Sequence, residues 1–320
     1  MVTTWLSREF GIEIPVLGAP MGGRAGGALA GAVSAAGGLG LLGAARYNTP
    51  EWIEAEAEVA RSIGGKFGVG LMTWSLPENE LMLDAAIAVE PTMITLSFGD
   101  PASYVGRIHD AGIPVVSQIN TLEDLRIVEA AGVDGVIAQG GEAGGHTGRI
   151  GTLPLLQEIL ETTSLPVLAA GGIGTGRGLA AVLAAGGEGV MIGTALLASP
   201  ETVGPDYARD RVVEAGSADT IYTSVFDRAR SQPWPQRWGG RAVANEFTAA
   251  WHGVDADEEM LAKAYDPSDP HSGVVYAGEA VGLVHGTHPA GDVVRRIGAD
   301  AERLLSRFAW KQGRTQPGPI

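Results

Sequence analysis

Short apolar runs recur along the first 200 residues with almost no polar alternation inside them. They are Ile14 to Ala19, Leu39 to Leu42, Phe67 to Leu71, Met93 to Ser97, Pro114 to Gln118, Gly135 to Ala138, Pro166 to Ala169 and Val190 to Gly193. Runs of this length, rich in Val, Ile and Leu, suit strands buried on both faces. Helical spacing fills the intervals. Ala25 to Ala36 is Ala-rich and stops at Gly37-Gly38; Thr49 is placed to cap a helix that opens on Pro50, and Thr121 to cap Leu122 to Ala131 before Gly132. Eight strands alternating with helices predict an α/β chain, a (β/α)8 TIM-type barrel over residues 1–200 with its last strand closing near Ala198.

The rhythm stops there. Residues 201–286 carry Tyr222, Phe226, Trp234, Trp238, Phe247 and Trp251 with Pro233 and Pro235, and no strand pattern is expected in them. This segment reads as a helical or irregular cap, or as a helical extension packed beside the barrel. Residues 287–310 form a helix opened by Pro289, whose stripe of Val293, Val294, Ile297, Ala301, Leu304, Leu305 and Phe308 suits the outer ring of a barrel. The tail after Trp310, residues 311–320, is polar, rich in Pro and Gly, and expected to fray.

Composition narrows the classes of function. Lys and Arg number 22 against 37 Asp and Glu, a net charge of −15 without a basic patch, which disfavours nucleic acid as a partner. No run of 18 uninterrupted apolar residues marks a membrane span. Zero cysteines remove disulfides, thiolate catalysis and Cys-ligated metal. Met1 to Phe10 lacks the layout of a secretion signal, so a cytoplasmic protein is expected. Glycine, at 48 of 320 residues, is about twice its ~7% average usage and flanks the apolar runs.

Barrels of this kind do their chemistry in the loops that follow the strands. The first loop is Pro20-Met21-Gly22-Gly23, the sixth Gln139 to Gly148, the seventh Ala170 to Gly176 and the eighth Gly193-Thr194. The glycines of loops seven and eight, each leading into a helix start, predict a phosphate site made of backbone N–H groups. His146 stands among small residues of the sixth loop, where a neutral imidazole can take a proton from a carbon acid. Glu142 is a candidate organiser of that loop, bonding backbone N–H groups. Gly38 to Gly43 matches a dinucleotide glycine spacing but is itself an apolar strand, and there is no P-loop, Gly-x-Ser-x-Gly elbow or His-Glu-x-x-His. His285 and His288 lack an evident third ligand, so no metal is expected. Tyr222, Trp234, Trp238 and Trp251 are candidate substrate-lining residues of the cap.

Ala19-Pro20-Met21, the run Ala138-Gln139-Gly140-x-Glu142-Ala143-Gly144-Gly145-His146-x-Gly148, the turn Ala169-Ala170-Gly171-Gly172-Ile173 and Gly193-Thr194 together resemble the nitronate monooxygenase family, formerly called 2-nitropropane dioxygenases. The likeness covers about residues 12–200 and resumes at Gly282-Leu283-Val284 and Pro289 to Leu305. It implies FMN, with the phosphate held at Gly172, Gly174, Gly193 and Thr194. It also implies a flavin ring edged by Met21, Gly22, Gln118, Gln139 and Gly145, with Ala170 a further cofactor-binding residue and His146 as the catalytic residue beside the reactive face. The implied reaction is oxidation of an alkyl or propionate-type nitronate with O2 to a carbonyl compound and nitrite. Two positions depart from the pattern: Gly70 stands where many members have Asn, and Gln118 where some have Lys. FMN-dependent enoyl-acyl-carrier-protein reductases and NAD(P)H:quinone reductases share the motif. A non-flavin barrel aldolase or isomerase is a further alternative, although Lys66, Lys263 and Lys311 are the only lysines and none follows a strand.

Overall fold

The computed structural model describes residues 3–308. Its strands, in chain order, are β1 (Val16–Gly18), β2 (Leu39–Ala44), β3 (Gly68–Met72), β4 (Ile94–Ser97), β5 (Val115–Ile119), β6 (Gly135–Gln139), β7 (Gly145–Thr147), β8 (Val167–Ala170), β9 (Gly189–Ile192), β10 (Thr220–Thr223) and β11 (Gly239–Val243). Eight of them, β1 to β6 with β8 and β9, close into a parallel barrel. These are the eight apolar runs of the sequence. The helices between them begin where small polar residues satisfy free N–H groups: Thr49 accepts from Trp52 ahead of Pro50, and Thr121 accepts from Asp124.

Strand alternation sorts the side chains into two layers. Val16, Leu42, Val69, Ile94, Val115, Val136, Val167 and Val190 face outward and pack against the helices. Leu17, Leu41, Met93, Val116, Ile137, Leu168 and Met191 fill the barrel interior, together with Leu6 and Phe10 from a short helix, Trp5–Phe10, that plugs its floor. Gly40 is required where the helix Gly27–Ala35 lies on β2, since a Cβ there would run into the backbone of Ala30. The ring of strands closes at β9, and the helix that covers this seam is Ala290–Phe308, packed against the helices Gly176–Ala184 and Gly27–Ala35.

Between β9 and that last helix the chain builds the cap. Its core joins Val225, Phe226, Ala229, Ala242, Phe247, Ala256 and Leu261, and a second cluster including Leu197, Val212, Val243, Val275 and Val281 lies beside it. The expectation that the cap lacks strands is overturned. β10 and β11 pair with each other, and β11 pairs antiparallel with β7 from the barrel's sixth loop. Four residues in one strand and two glycines at the start of the other leave too little side-chain alternation to reveal them. The side chain of Phe308, Trp310 and the tail 311–320 lie outside the described residues. Among those described, no helix is long and apolar enough to cross a membrane.

The floor plug generates a stability prediction. Leu6 is fully buried, so Leu6→Ala should cost about 3 kcal/mol through transfer and cavity terms. Leu153→Ala, at a position 57% exposed, should stay within about 0.5 kcal/mol. Equilibrium urea denaturation reads both, and equal midpoints for the two variants would contradict the assignment of the plug.

Candidate active site

The inward positions change character toward the C-terminal ends of the strands. Continuing the alternation upward from the apolar floor gives Ala19, Gly43, Gly70, Thr95, Gln118, Gln139, Ala170 and Gly193, all small or polar. A flat ligand can lie where such side chains leave space. At Gly70 a Cβ would overlap the ring of Pro20, so the Asn that the family resemblance leads one to expect has no room here. The Thr95 hydroxyl lies close to that spot, 2.9 Å from where the Cβ would stand, and is buried without a hydrogen-bond partner among the described residues. The amides nearby form a chain: Gln118 Nε2 donates to Gln139 Oε1 at 3.0 Å, Asn120 Nδ2 to the same oxygen at 2.9 Å, and Trp238 Nε1 to Asn120 Oδ1 at 3.0 Å. The side-chain carbonyl of Gln118 has no protein partner among the described residues.

Loop seven carries a run of unused donors. The backbone N–H groups of Gly172, Ile173 and Gly174 donate to no protein acceptor among the described residues, and Thr175 does not cap the following helix with its side chain. Gly171 and Gly172 take φ of 104° and 69°, a region that suits glycine. Loop eight leads only into a one-turn 3-10 helix, Thr194–Leu196, rather than the α-helix start expected. The hydroxyl of Thr194 accepts from Gly278 N–H at 2.9 Å, tying this loop to the cap. Gly193 faces Met21, and Gly174 faces Leu283. Glu142 acts as the loop organiser: its Oε2 accepts from both Thr152 N and Thr152 Oγ1 at 2.7 Å. Free N–H groups beside a floor of small residues, with an orphan hydroxyl within it, fit a flat ring carrying an anionic tail. Gly22 lies exposed in loop one and Gly145, at φ 71°, opens β7.

His146 is not on a free loop. It sits mid-strand in β7 opposite Gly240 of β11, and it is buried. Its Nε2 lies 2.8 Å from Oδ2 of Asp227, a carboxylate only 6% exposed on a short cap helix, Val225–Ala229. The other oxygen of Asp227 accepts from the Tyr276 hydroxyl at 2.9 Å and faces Arg230 Nη2 at 3.4 Å. Burial, with Asp227 adding to it, pushes the Tyr276 phenol well above its ordinary value, so it stays a neutral donor. His146 Nδ1 has no protein partner among the described residues. Asp227, Arg230 and Tyr276 were missed from the sequence because no motif surrounds them. The one local signal was an acid that directly follows the apolar pair Val225-Phe226.

Two of the four candidate cap aromatics, Trp234 and Tyr222, meet this histidine or its strand. Trp234 stacks on the His146 ring at 3.4 Å between centroids and 7° between planes. Trp74 and Phe98 meet Trp234 at 5.1 Å each, and Trp238 meets Phe98 at 5.4 Å, forming an aromatic ceiling over the barrel mouth. Phe98 holds φ 65° to place its ring there, a conformation costly for a bulky residue. Tyr222 braces the small sheet, donating to Thr147 O at 3.2 Å and accepting from Gly239 N at 2.7 Å. Trp251 lies elsewhere, against Phe247 in the cap core.

Comparison with known proteins agrees with this architecture. The family model described as nitronate monooxygenase matches residues 3–80 and 78–300. A probable nitronate monooxygenase of Staphylococcus aureus is 30% identical over 69% of this chain and 75% of its own. A (3aS,4S,5R,7aS)-5-hydroxy-7a-methyl-1-oxo-octahydro-1H-indene-4-carboxyl-CoA dehydrogenase of Mycobacterium tuberculosis is 36% identical over 70% of this chain, and the match takes in 64% of that relative's length. Among solved structures, FabK from Thermotoga maritima superposes with a TM-score of 0.85 at 27% identity, covering 96% of this chain and 99% of that one. Nitroalkane oxidase from Streptomyces ansochromogenes gives 0.79 at 29% identity over 95% and 99%.

Two predictions follow from the geometry. Gly172→Val imposes about 1–2 kcal/mol of strain at a positive φ, so a flavin bound at the cradle should dissociate about tenfold more readily, measured by flavin retention after gel filtration. Full retention would remove the cradle from the binding account. Trp234→Ala should raise the Michaelis constant, while Trp251→Ala should lower the melting temperature and leave that constant unchanged; the opposite pattern would exchange their roles.

Proposed function

The chain belongs to the nitronate monooxygenase family of flavin-dependent oxidoreductases, and we propose that it binds FMN and oxidises small alkyl or propionate-type nitronates with O2 to a carbonyl compound and nitrite. The observation that carries this reading is the His146–Asp227 pair, 2.8 Å apart beneath Trp234 at the mouth of a barrel whose strand ends are small and polar. Bound flavin supplies the electron transfer from substrate to oxygen. Gly172, Gly174, Gly193 and Thr194 would hold the phosphate through backbone groups. Met21, Gly22, Gln118, Gln139, Gly145 and Ala170 would edge the ring. The loop-seven donors supply room for one terminal phosphate, which favours FMN over a dinucleotide.

The chain's own residues handle proton and position. His146 takes the proton from the carbon next to the nitro group when the neutral nitroalkane is the substrate, and Asp227 stabilises the imidazolium that results. A nitronate arrives already deprotonated and needs only orientation. Trp74, Phe98, Trp234 and Trp238 wall the mouth with aromatic surface, excluding water from a small organic substrate. The same proposal puts the enzyme in the cytoplasm, where a chain without cysteine needs no oxidising compartment.

A second reading is an FMN-dependent reductase or dehydrogenase acting on an acyl thioester or a quinone. It is favoured by the FabK likeness over nearly the whole chain and by the name of the Mycobacterium tuberculosis relative. The non-flavin aldolase alternative is overturned by family membership. Lys66, which would have to serve such chemistry at a strand end, donates instead to the carbonyls of Phe10 and Gly11 at the floor.

The purified protein should be yellow and release FMN on denaturation. It should consume oxygen with alkyl or propionate nitronate in the absence of NAD(P)H. His146→Ala should lower turnover of the neutral nitroalkane by about 10²-fold or more, and of the nitronate by less. Absence of oxygen uptake, combined with rapid NAD(P)H oxidation in the presence of a quinone or an enoyl thioester, would transfer the assignment to the second reading.

A further inference from the structure

We infer that Asp227 is a positioning residue that fixes the tautomer of His146, making Nδ1 the atom that accepts the substrate's proton; this rests on His146 acting as the proton acceptor of the reaction proposed above. The argument starts from valence. A neutral imidazole carries one N–H and one lone pair, and whichever nitrogen faces an ionised carboxylate holds the proton. Asp227 Oδ2 sits 2.8 Å from Nε2, so Nε2–H donates to it and the lone pair is left on Nδ1. That nitrogen has no protein partner among the described residues, as a base awaiting substrate requires.

The surroundings keep Asp227 an acceptor. Both lobes of its carboxylate are engaged: Oδ2 by His146, Oδ1 by the Tyr276 hydroxyl at 2.9 Å, with the Arg230 guanidinium 3.4 Å away. Arg230 in turn donates to the Tyr276 oxygen at 3.2 Å. A carboxylate this deeply buried costs several kcal/mol unless it is paired, and here a cation and two hydrogen-bond donors surround it. Packing restrains rotation of the imidazole about its bond to the chain. Trp234 lies flat on one face, and Tyr276 stands 5.5 Å away. The β7–β11 pairing also holds the backbone of His146.

In the proton transfer, the bond from the substrate carbon to hydrogen breaks and the proton bonds to Nδ1. Its electron pair stays on the substrate as the nitronate. The imidazolium then carries N–H on both nitrogens, and the charge is balanced by Asp227. No further reactant enters the step.

Asp227→Asn tests this in the holoenzyme, because an amide can offer N–H to Nε2 and so stabilise the opposite tautomer. Long-range ¹H–¹⁵N spectra of histidine-labelled protein, with the His146 signals assigned by their loss in His146→Gln, should show protonated Nε2 in the wild type and protonated Nδ1 in Asp227→Asn. Neutral nitroalkane turnover of Asp227→Asn should fall about 10²- to 10⁴-fold, the scale of a wrong-tautomer base. Flavin content should hold and nitronate oxidation should fall less. Asp227→Glu, which restores the charge, should recover part of the lost turnover. Protonated Nδ1 in the wild type would overturn the inference, as would turnover of Asp227→Asn within about threefold of wild type. The spectra use no substrate, so they stand or fall separately from the identity of the reaction. If Asp227→Asn fails to fold, the wild-type spectrum alone still decides.

Discussion

Backbone pairing between β7 and β11 is the contact on which the rest of the site depends. It converts a glycine-rich loop of the barrel into one edge of a three-stranded sheet whose other members come from the cap. Without that pairing His146 would belong to a flexible segment. Asp227, 81 residues further along the chain, would have no fixed relation to it. With the pairing in place, the imidazole, its carboxylate and the stacking indole are held by one small sheet and the helix that follows its first cap strand. In the proposed site the barrel would supply the floor and the run of free N–H groups, and the cap would supply the carboxylate partner of His146, so neither part would make the site alone.

The barrel was legible because its signal is repeated eight times. Each apolar run is short, unalternating and followed by glycine, and a pattern that many pieces share survives error in any one of them. The helix caps at Thr49 and Thr121 were legible for a different reason, since a side chain that bonds its own third neighbour is a local event. His146 was found by its isolation among small residues at a strand end. The Asp227 partnership was not, because nothing near Val225-Phe226-Asp227 in the chain says what lies across the mouth. The cap strands escaped for a related reason: their pairing energy comes from backbone contacts with distant segments, and their side chains carry little periodicity.

The acidity of the chain and the chemistry of its cradle are compatible. A net charge of −15 would repel a phosphate held by surface cations that must first outcompete the surrounding carboxylates. Backbone N–H groups at Gly172 to Gly174 carry only partial charges, need no counter-ions of their own and act at contact distance. The same economy shows in the departure at Gly70. Pro20 fills the volume that a side chain at position 70 would need, and the Thr95 hydroxyl, without a partner among the described residues, is a polar group on that wall.

The chain order of the cap has a consequence for synthesis. The strand ring is finished at Ile192, but the helix that covers its seam, Ala290–Phe308, is made only after nearly 100 further residues have left the ribosome. Until then the faces of the helices Gly176–Ala184 and Gly27–Ala35 on which the last helix packs stay wet. A nascent barrel with one bare stave is sticky toward other chains. The early arrival of the floor plug, Trp5–Phe10, works against that exposure, because the interior can consolidate around Leu6 and Phe10 before the outside is closed. Maturation of the molecule therefore runs from the inside of the barrel outward, with the cap emerging between the two stages.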